Sequence, residues 1–470
     1  MVQGVMRTLE YCLIRKFYLS GYINKYTGKR SVSFGKKFKL HITSVLFCLC
    51  ILPACDSGHP GKSAENTSAR CYADNAGLVL PDGFCARVIA DSLGFIRHLA
   101  VNGNGDVYAA MRNIRLNLGG IIALRDSNND GRMDVMEKIS DIPGMGIAVH
   151  DDFLYFASDT DVYRYTLTAG QLVPKQPPQI IVRDLAVQDL HAGKTFAIDS
   201  QNHIYINIGA RTNACQAPDE EERKPAQVPC AELKMHAGIW RFPLGKFNQT
   251  LEQDGYHYAS GIRNAYAIDW HPVYQQLYAV QHGRDQLHEN WPEYYSSEDG
   301  ARLPAEEFLL IHDTGEYGWP YCYYDPVQDK RVLAPEYGGN GKRIDRCGNY
   351  PLPLLAFPAH YGPNDMKFYN AEQFPRHYRN GAFIAFHGSY NRGEFDQVGY
   401  QVVFVPFKDG HPSGPWEVFI DGFAGTEEVK IPEDADYRPT GLAIGPDGSL
   451  YVADSVQGRI WRVIYKGEIH

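Results

Sequence analysis

One hydrophobic pattern recurs along the chain: a short apolar strand, a turn carrying Asp, Asn or Gly, then a second strand centred on an aromatic residue. It reads LAVNGNGDVYAAMRN over 99–113, IAVHDDFLYFASD over 147–159, TFAIDSQNHIYINIGA over 195–210, AIDWHPVYQQLYAVQHG over 267–283 and LAIGPDGSLYVADS over 442–455. GAFIAFHGSYNRG, over 381–393, followed by Tyr400 to Phe407, is a sixth member. The aromatic-centred strands begin near Tyr108, Tyr155, Tyr205, Tyr278, Phe383 and Tyr451. Strand pairs of this kind, with no helical period between them, predict an all-β fold. Six units predict a six-bladed β-propeller, in which each four-stranded blade hides its faces against its neighbours. A pair of β-sandwiches is the weaker alternative, because the unit repeats. The last unit, Arg438 to Tyr465, is expected to pair with residues 84–90 and close the ring. Uneven spacing places long insertions mainly within 209–260 and 285–380.

The stretch GIRNAYAIDWHPVYQQLYAVQHGRDQLHENW, 261–291, sets polar clusters at both ends of one such hairpin. Arg263 and Asn264 open it; His282, Gly283, Arg284 and Asp285 close it. A hairpin returns its far end to its start, so the clusters should converge on one rim. Arg263 and Asn264 are equally readable as a structural turn. Arg392 and Arg438 are further cations beside predicted strands, and guanidinium forks suit carboxylates. His191, in DLHAGKTFAID, precedes the third repeated strand, where an imidazole could take a proton near neutral pH.

Composition narrows the class without changing the fold. Apolar residues make up 44% and charged residues 21%, enough for a large core. Net charge −9 and pI near 6.0 exclude the basic footprint of a nucleic-acid binder. Lys36, Lys37 and Lys39 precede an apolar run ending in Leu52-Pro53-Ala54-Cys55, the form of an export signal. Residues 1–54 are therefore expected to be a signal peptide, its real start lying downstream of Met1. Residues 55–75 form a linker and 76–466 the propeller. The end of the signal resembles a bacterial lipobox, which implies cleavage before Cys55, lipid attachment to its sulfur and residence at the periplasmic face of a membrane. Six cysteines follow as near neighbours, Cys71 and Cys85, Cys215 and Cys230, Cys322 and Cys347; disulfides between neighbours are the simplest pairing for an exported protein.

DSNNDGRMDVME, Asp126 to Glu137, fits the calcium-loop spacing, with Asp126, Asn128, Asp130 and Glu137 as oxygen ligands and Gly131 at the turn. An Asp-rich turn without an ion satisfies the same pattern.

Taken together, HAGKTFAID, SGIRNAYAIDWHP, LYAVQHGRDQL with NWPEYY, EEFLLIHDTGEYGWPYC, FPAHYGPNDMKFY, GAFIAFHGSYNR and YRPTGLAIGPDGSLYVADS resemble the soluble PQQ-dependent glucose and sorbosone dehydrogenases. The resemblance covers about 76–466. It implies a pyrroloquinoline quinone and Ca2+ at one rim of the propeller. His191 would be the general base and Arg263 the cation that stabilises charge on the cofactor, with Asn264 beside it. Gly283 and Arg284 would hold calcium through their carbonyls. Arg392 and Arg438, near His360 and Tyr361, would bind the cofactor's carboxylates, and Glu307 with the Tyr317 carbonyl would form a second, structural calcium site. Leu190 stands where the glucose enzymes carry an acid that grips sugar hydroxyls, so the substrate departs from glucose.

The resemblance implies oxidation of a sugar or polyol-derived alcohol or aldehyde, with electrons passed to a respiratory cytochrome or quinone near the anchoring membrane. A catalytically inactive propeller that binds a glycan or protein is the alternative. A metal-dependent lactonase needs Glu, Asn and Asp around one cation and fits the Arg and His motifs poorly.

Overall fold

The computed structural model describes residues 71, 74–113, 116, 118–216, 226 and 228–467. Chain contacts divide into Met1–Ser63, which lies outside the described residues, and Ala64–His470, which contains all of them. Cys55 and the proposed signal also fall outside them.

Six sheets of four or five strands, antiparallel apart from one parallel edge pair in each of two, follow one another along the chain. Their innermost strands are Ile96–Val101, Gly144–His150, Thr195–Ile198, Ala267–His271, Pro363–Phe368 and Pro439–Ile444, each in contact with the next around a ring. The second strands, Val107–Asn113, Phe153–Ser158, His203–Ile208, Gln276–Gln281, Ala382–His387 and Leu450–Asp454, are the six aromatic-centred strands of the sequence. A strand alternates its side chains, and here both faces are buried. Tyr205 enters the core shared with the fourth blade, while Ile204 and Ile206 enter the core shared with the second. Six inter-blade cores result, one between each neighbouring pair.

The ring closes as expected. Phe84–Ala90 pairs antiparallel with Ile460–Tyr465, from Phe84 opposite Tyr465 to Ala90 opposite Ile460, so the sixth blade joins strands from the two ends of the domain. Trp461 is wholly buried there, edge-on to Phe423 and Tyr437.

The insertions pack as satellites. Cys215–Cys230 and Cys322–Cys347 are bonded within one apolar cluster with Trp319 and Tyr321, and Cys71–Cys85 ties the segment before the closing strand. Cavities open at both mouths of the central channel. One, about 330 Å³, lies where the inner strands begin; the other, about 310 Å³, lies where they end.

Candidate active site

The hairpin Ala267–His271 and Gln276–Gln281 pairs in the register Ala267 opposite Val280, which brings its flanks together. His282 N–H donates to the Asn264 carbonyl at 2.8 Å. Arg263 Nη1 donates to the Gly283 carbonyl at 2.9 Å, and Nη2 donates to Asp285 Oδ2 and to Asn213 Oδ1, each at 3.0 Å. Asn213 comes from the disulfide-bonded insertion, and its carbonyl accepts from the Trp319 indole. The guanidinium is thus clamped from three sides. Its Nε–H is buried without a partner among the described residues, an unsatisfied donor beside the cavity.

His191 lines the same cavity on a loop held in left-handed backbone, φ 54°. Gly209 allows that approach, since a Cβ there would fall 2.5 Å from His191 Cβ and 2.8 Å from Asn264 Oδ1. The imidazole Nδ1 lies 3.1 Å from the Ala210 carbonyl. A carbonyl only accepts, so Nδ1 carries the proton and Nε2 keeps its lone pair. Burial, helped by the charge of Arg263, holds this imidazole well below its ordinary value. The arrangement is a neutral base at neutral pH. A buried lysine braces the loop: Lys194 Nζ donates to the Ala192 carbonyl at 2.9 Å and to Gln188 Oε1 at 3.2 Å, and Gln188 Nε2 donates to the His191 carbonyl at 2.9 Å. Burial lowers that ammonium to about 7.

Two carboxylates share the cavity. Burial alone would raise Asp285, but Arg263 and His360 outweigh it and hold the carboxyl well below the usual range. His360 has an acceptor on each nitrogen, Asp285 Oδ1 at 3.3 Å and the Gly300 carbonyl at 2.9 Å, an arrangement that needs two N–H groups. Although burial opposes its charge, the hydrogen bond to Asp285 raises it above the ordinary value. Glu306 accepts from Gly283 N at 2.8 Å and Gly362 N at 3.2 Å, and burial pushes it up to about 7. His282 donates from Nε2 to the Pro363 carbonyl at 2.7 Å, and burial brings it down to about 4.

The structure gathers His191, Arg263, Gly283, His360 and Arg438 around this cavity. The Arg438 guanidinium donates, among the described residues, to the His387 and Gly388 carbonyls at 2.9 and 2.8 Å. Asn264 is buried behind them, between Asn207 and His282. Arg392 and Tyr361 are not among the lining residues: Arg392 donates to the Asp396 and Ala301 carbonyls, and the Tyr361 ring packs edge-on against Phe386.

Elsewhere the side chains of residues expected near metal ions have partners within the protein. Arg284 is buried with its guanidinium on Glu336. Glu307 is held by both outer nitrogens of Arg331 and by Gln281. Tyr317 sits in the core between the third and fourth blades, its hydroxyl donating to the Leu310 carbonyl at 2.7 Å. In the Asp-rich turn, Asp126 accepts from Asp130 N and Gly131 N, Asn128 from Asp130 N and Asp130 from Arg132 N. Glu137 stands apart, exposed on the next strand opposite Ala123. The turn's side chains thus accept from its own amides.

Sequence reasoning missed Arg97, Tyr266, Glu306 and His387, all of which line the cavity. Arg97 had a signal. It stands at the start of the first inner strand, as Arg438 does just before the sixth.

Residues 78–466 match the family described as TrAA12-like. A pyrroloquinoline quinone-dependent sugar dehydrogenase of Hypocrea jecorina is 21% identical over 84% of this chain and 92% of its own. An uncharacterized protein of Borreliella burgdorferi is 25% identical over 65% of this chain; the match spans 66% of that relative. Among solved structures, the calcium structure of the Trichoderma reesei family AA12 enzyme superposes with a TM-score of 0.66 at 20% identity, covering 86% of this chain and 99% of that one. The holo pyranose dehydrogenase PQQ domain of Coprinopsis cinerea gives 0.64 at 18% identity, covering 82% and 97%.

Proposed function

This chain belongs to the TrAA12-like family, and on that premise we propose that it is a PQQ-dependent dehydrogenase of sugars. The observation that carries the reading is the pairing, in one cavity, of a neutral His191 with its Nε2 lone pair free and a fixed Arg263. A cavity of about 330 Å³ lies at the lower end of the small-molecule range, roughly 300–1,000 Å³.

The residues present fit a polycarboxylate with a hard cation. Arg438 faces the cavity without a carboxylate partner among the described residues, and Arg263 keeps an unsatisfied Nε–H. Asp285, Glu306 and the Gly283 carbonyl, which retains a second lone pair, are the oxygen donors calcium prefers. Arg438 would hold a cofactor carboxylate, and the Gly283 side of the cavity the cation. Pyrroloquinoline quinone, when bound, supplies the two-electron oxidant, and calcium polarises it. The chain's own part is to place the substrate hydroxyl at His191 Nε2, take its proton there, and present Arg263 to the negative charge that develops. The three disulfides support export to an oxidising compartment. Lipid anchoring through Cys55 and electron delivery to a respiratory cytochrome or quinone remain part of this proposal.

The test adds PQQ and calcium to the purified protein, records the bound-quinone spectrum and follows dye reduction over a panel of sugars and aldehydes. Spectrum and turnover together are expected. Absence of both would sink the enzyme reading and leave a propeller that binds a glycan or protein.

A further inference from the structure

The cavity holds more cation than its own acids neutralise. Four guanidiniums line it, Arg97, Arg112, Arg263 and Arg438, against the carboxylates of Asp285 and Glu306. Two of the four are accounted for within the protein. Arg112 forks onto Asp159 at 2.9 and 2.7 Å, and Arg263 meets Asp285 at 3.0 Å. Arg97 and Arg438 meet no carboxylate among the described residues. Arg97 donates through Nε to the Arg112 carbonyl at 3.1 Å, and its two outer nitrogens, the pair that would fork onto a carboxylate, make no hydrogen bond among the described residues. Both residues are half-buried, and a partly desolvated guanidinium without a counter-ion favours an anion beside it.

The two arginines line one cavity together with His191. Arg438 reaches the sixth-blade side of the cavity through the His387 and Gly388 carbonyls. Arg97 lies within electrostatic range of Tyr266, Arg112 and Arg438. The Tyr266 ring packs edge-on against His282 at 5.3 Å and beside Gly193, two residues from His191. The free fork of Arg97 thus opens into the cavity where the substrate hydroxyl must meet His191. Leu190 and Met145 also line the cavity, the first with no acceptor and the second with only a weak thioether one. Asp285 is engaged by Arg263 and His360, and Glu306 by two main-chain amides. A neutral sugar, whose hydroxyls need acceptors as much as donors, finds few here.

We propose that the substrate of this site is a sugar acid of the uronic type, whose carboxylate docks on the free fork of Arg97 while its reacting hydroxyl faces His191. This rests on the dehydrogenase reading above and names the substrate class it would act on. An anion at Arg97 supplies the missing counter-charge, and a neutral sugar leaves the guanidinium unpaired, so discrimination follows from what the wrong substrate leaves undone.

The test uses the purified protein loaded with PQQ and calcium, with the bound-quinone absorbance recorded first. Dye reduction is then compared for glucuronate against glucose and for galacturonate against galactose. The expected result is a kcat/KM at least about tenfold higher for the acids at low ionic strength, a gap that narrows with added salt. Arg97→Gln should erase the gap, chiefly through KM, with the quinone absorbance retained, and Arg97→Lys should keep part of it. Quinone absorbance with equal or better turnover of the neutral sugars overturns the proposal while the dehydrogenase reading stands. Loss of the absorbance in Arg97→Gln with the preference intact also overturns it, and makes Arg97 a cofactor ligand. No absorbance and no turnover in the unaltered protein defeats both readings.

Discussion

A histidine can act as a base only if it is neutral and its lone pair faces the substrate, and the hydrogen bond from His191 to Ala210 arranges both. His191→Ala should keep bound-quinone absorbance while kcat falls by about 10² or more. Because His191 is held well below its ordinary value, it is already deprotonated at neutral pH. Protonation of His191 should therefore cause no fall in kcat/KM above the unperturbed histidine range near 6.5; in Glu306→Gln, which removes the cavity acid pushed up to about 7, a fall beginning above 7 would contradict the assignment. Glu307 tests a different point. With Arg331 on both carboxylate oxygens, Glu307→Gln should lower thermal stability equally in calcium and in chelator. Arg331→Met should cost about 3–5 kcal/mol, because it strands a buried carboxylate. A calcium-dependent difference in Glu307→Gln would restore the metal role.

At the scale of strands, the period-two alternation and the Asp/Asn/Gly turns were enough to locate six second strands and the partner of the closing strand, since these are local signals. The closing pair concentrates stability. Trp461→Ala should cost about 3–5 kcal/mol, measured as a lower denaturant midpoint, since the indole is wholly buried against Phe423 and Tyr437. The site was less legible. Arg263, Gly283 and Asp285 could be brought together because one hairpin carries them all. Arg97 and Glu306 come from separate blades, and only the ring sets them around one cavity. Arg392 lies in the expected chain region, yet its loop turns the guanidinium onto carbonyls outside the cavity. The Asp-rich turn shows the limit of spacing, since side chains at calcium-loop intervals also cap a tight turn's own amides.

Across the whole molecule, buried imidazoles set the response to acid. Burial holds His98, His191, His236, His257, His271, His282 and His387 below the ordinary histidine value, whereas His360 is raised. Once unfolded, the seven depressed groups would bind protons near pH 6.5. The unfolded chain thus takes up more protons than the folded one below that pH, and stability, full above it, is lost as pH falls toward the folded values. The unfolding temperature should decline between about pH 7 and pH 5, and an unchanged or rising value would contradict these burial assignments. The sheet that joins Phe84–Ala90 to Ile460–Tyr465 has a consequence for biogenesis. A polypeptide emerging from a ribosome or threading a translocon cannot seal its ring until residue 465 is free. Up to that moment the sixth blade lacks its third strand and the ring around the cavity, lined by residues from 97 to 438, is not sealed. Firm capture of the proposed cofactor should therefore wait for the finished chain.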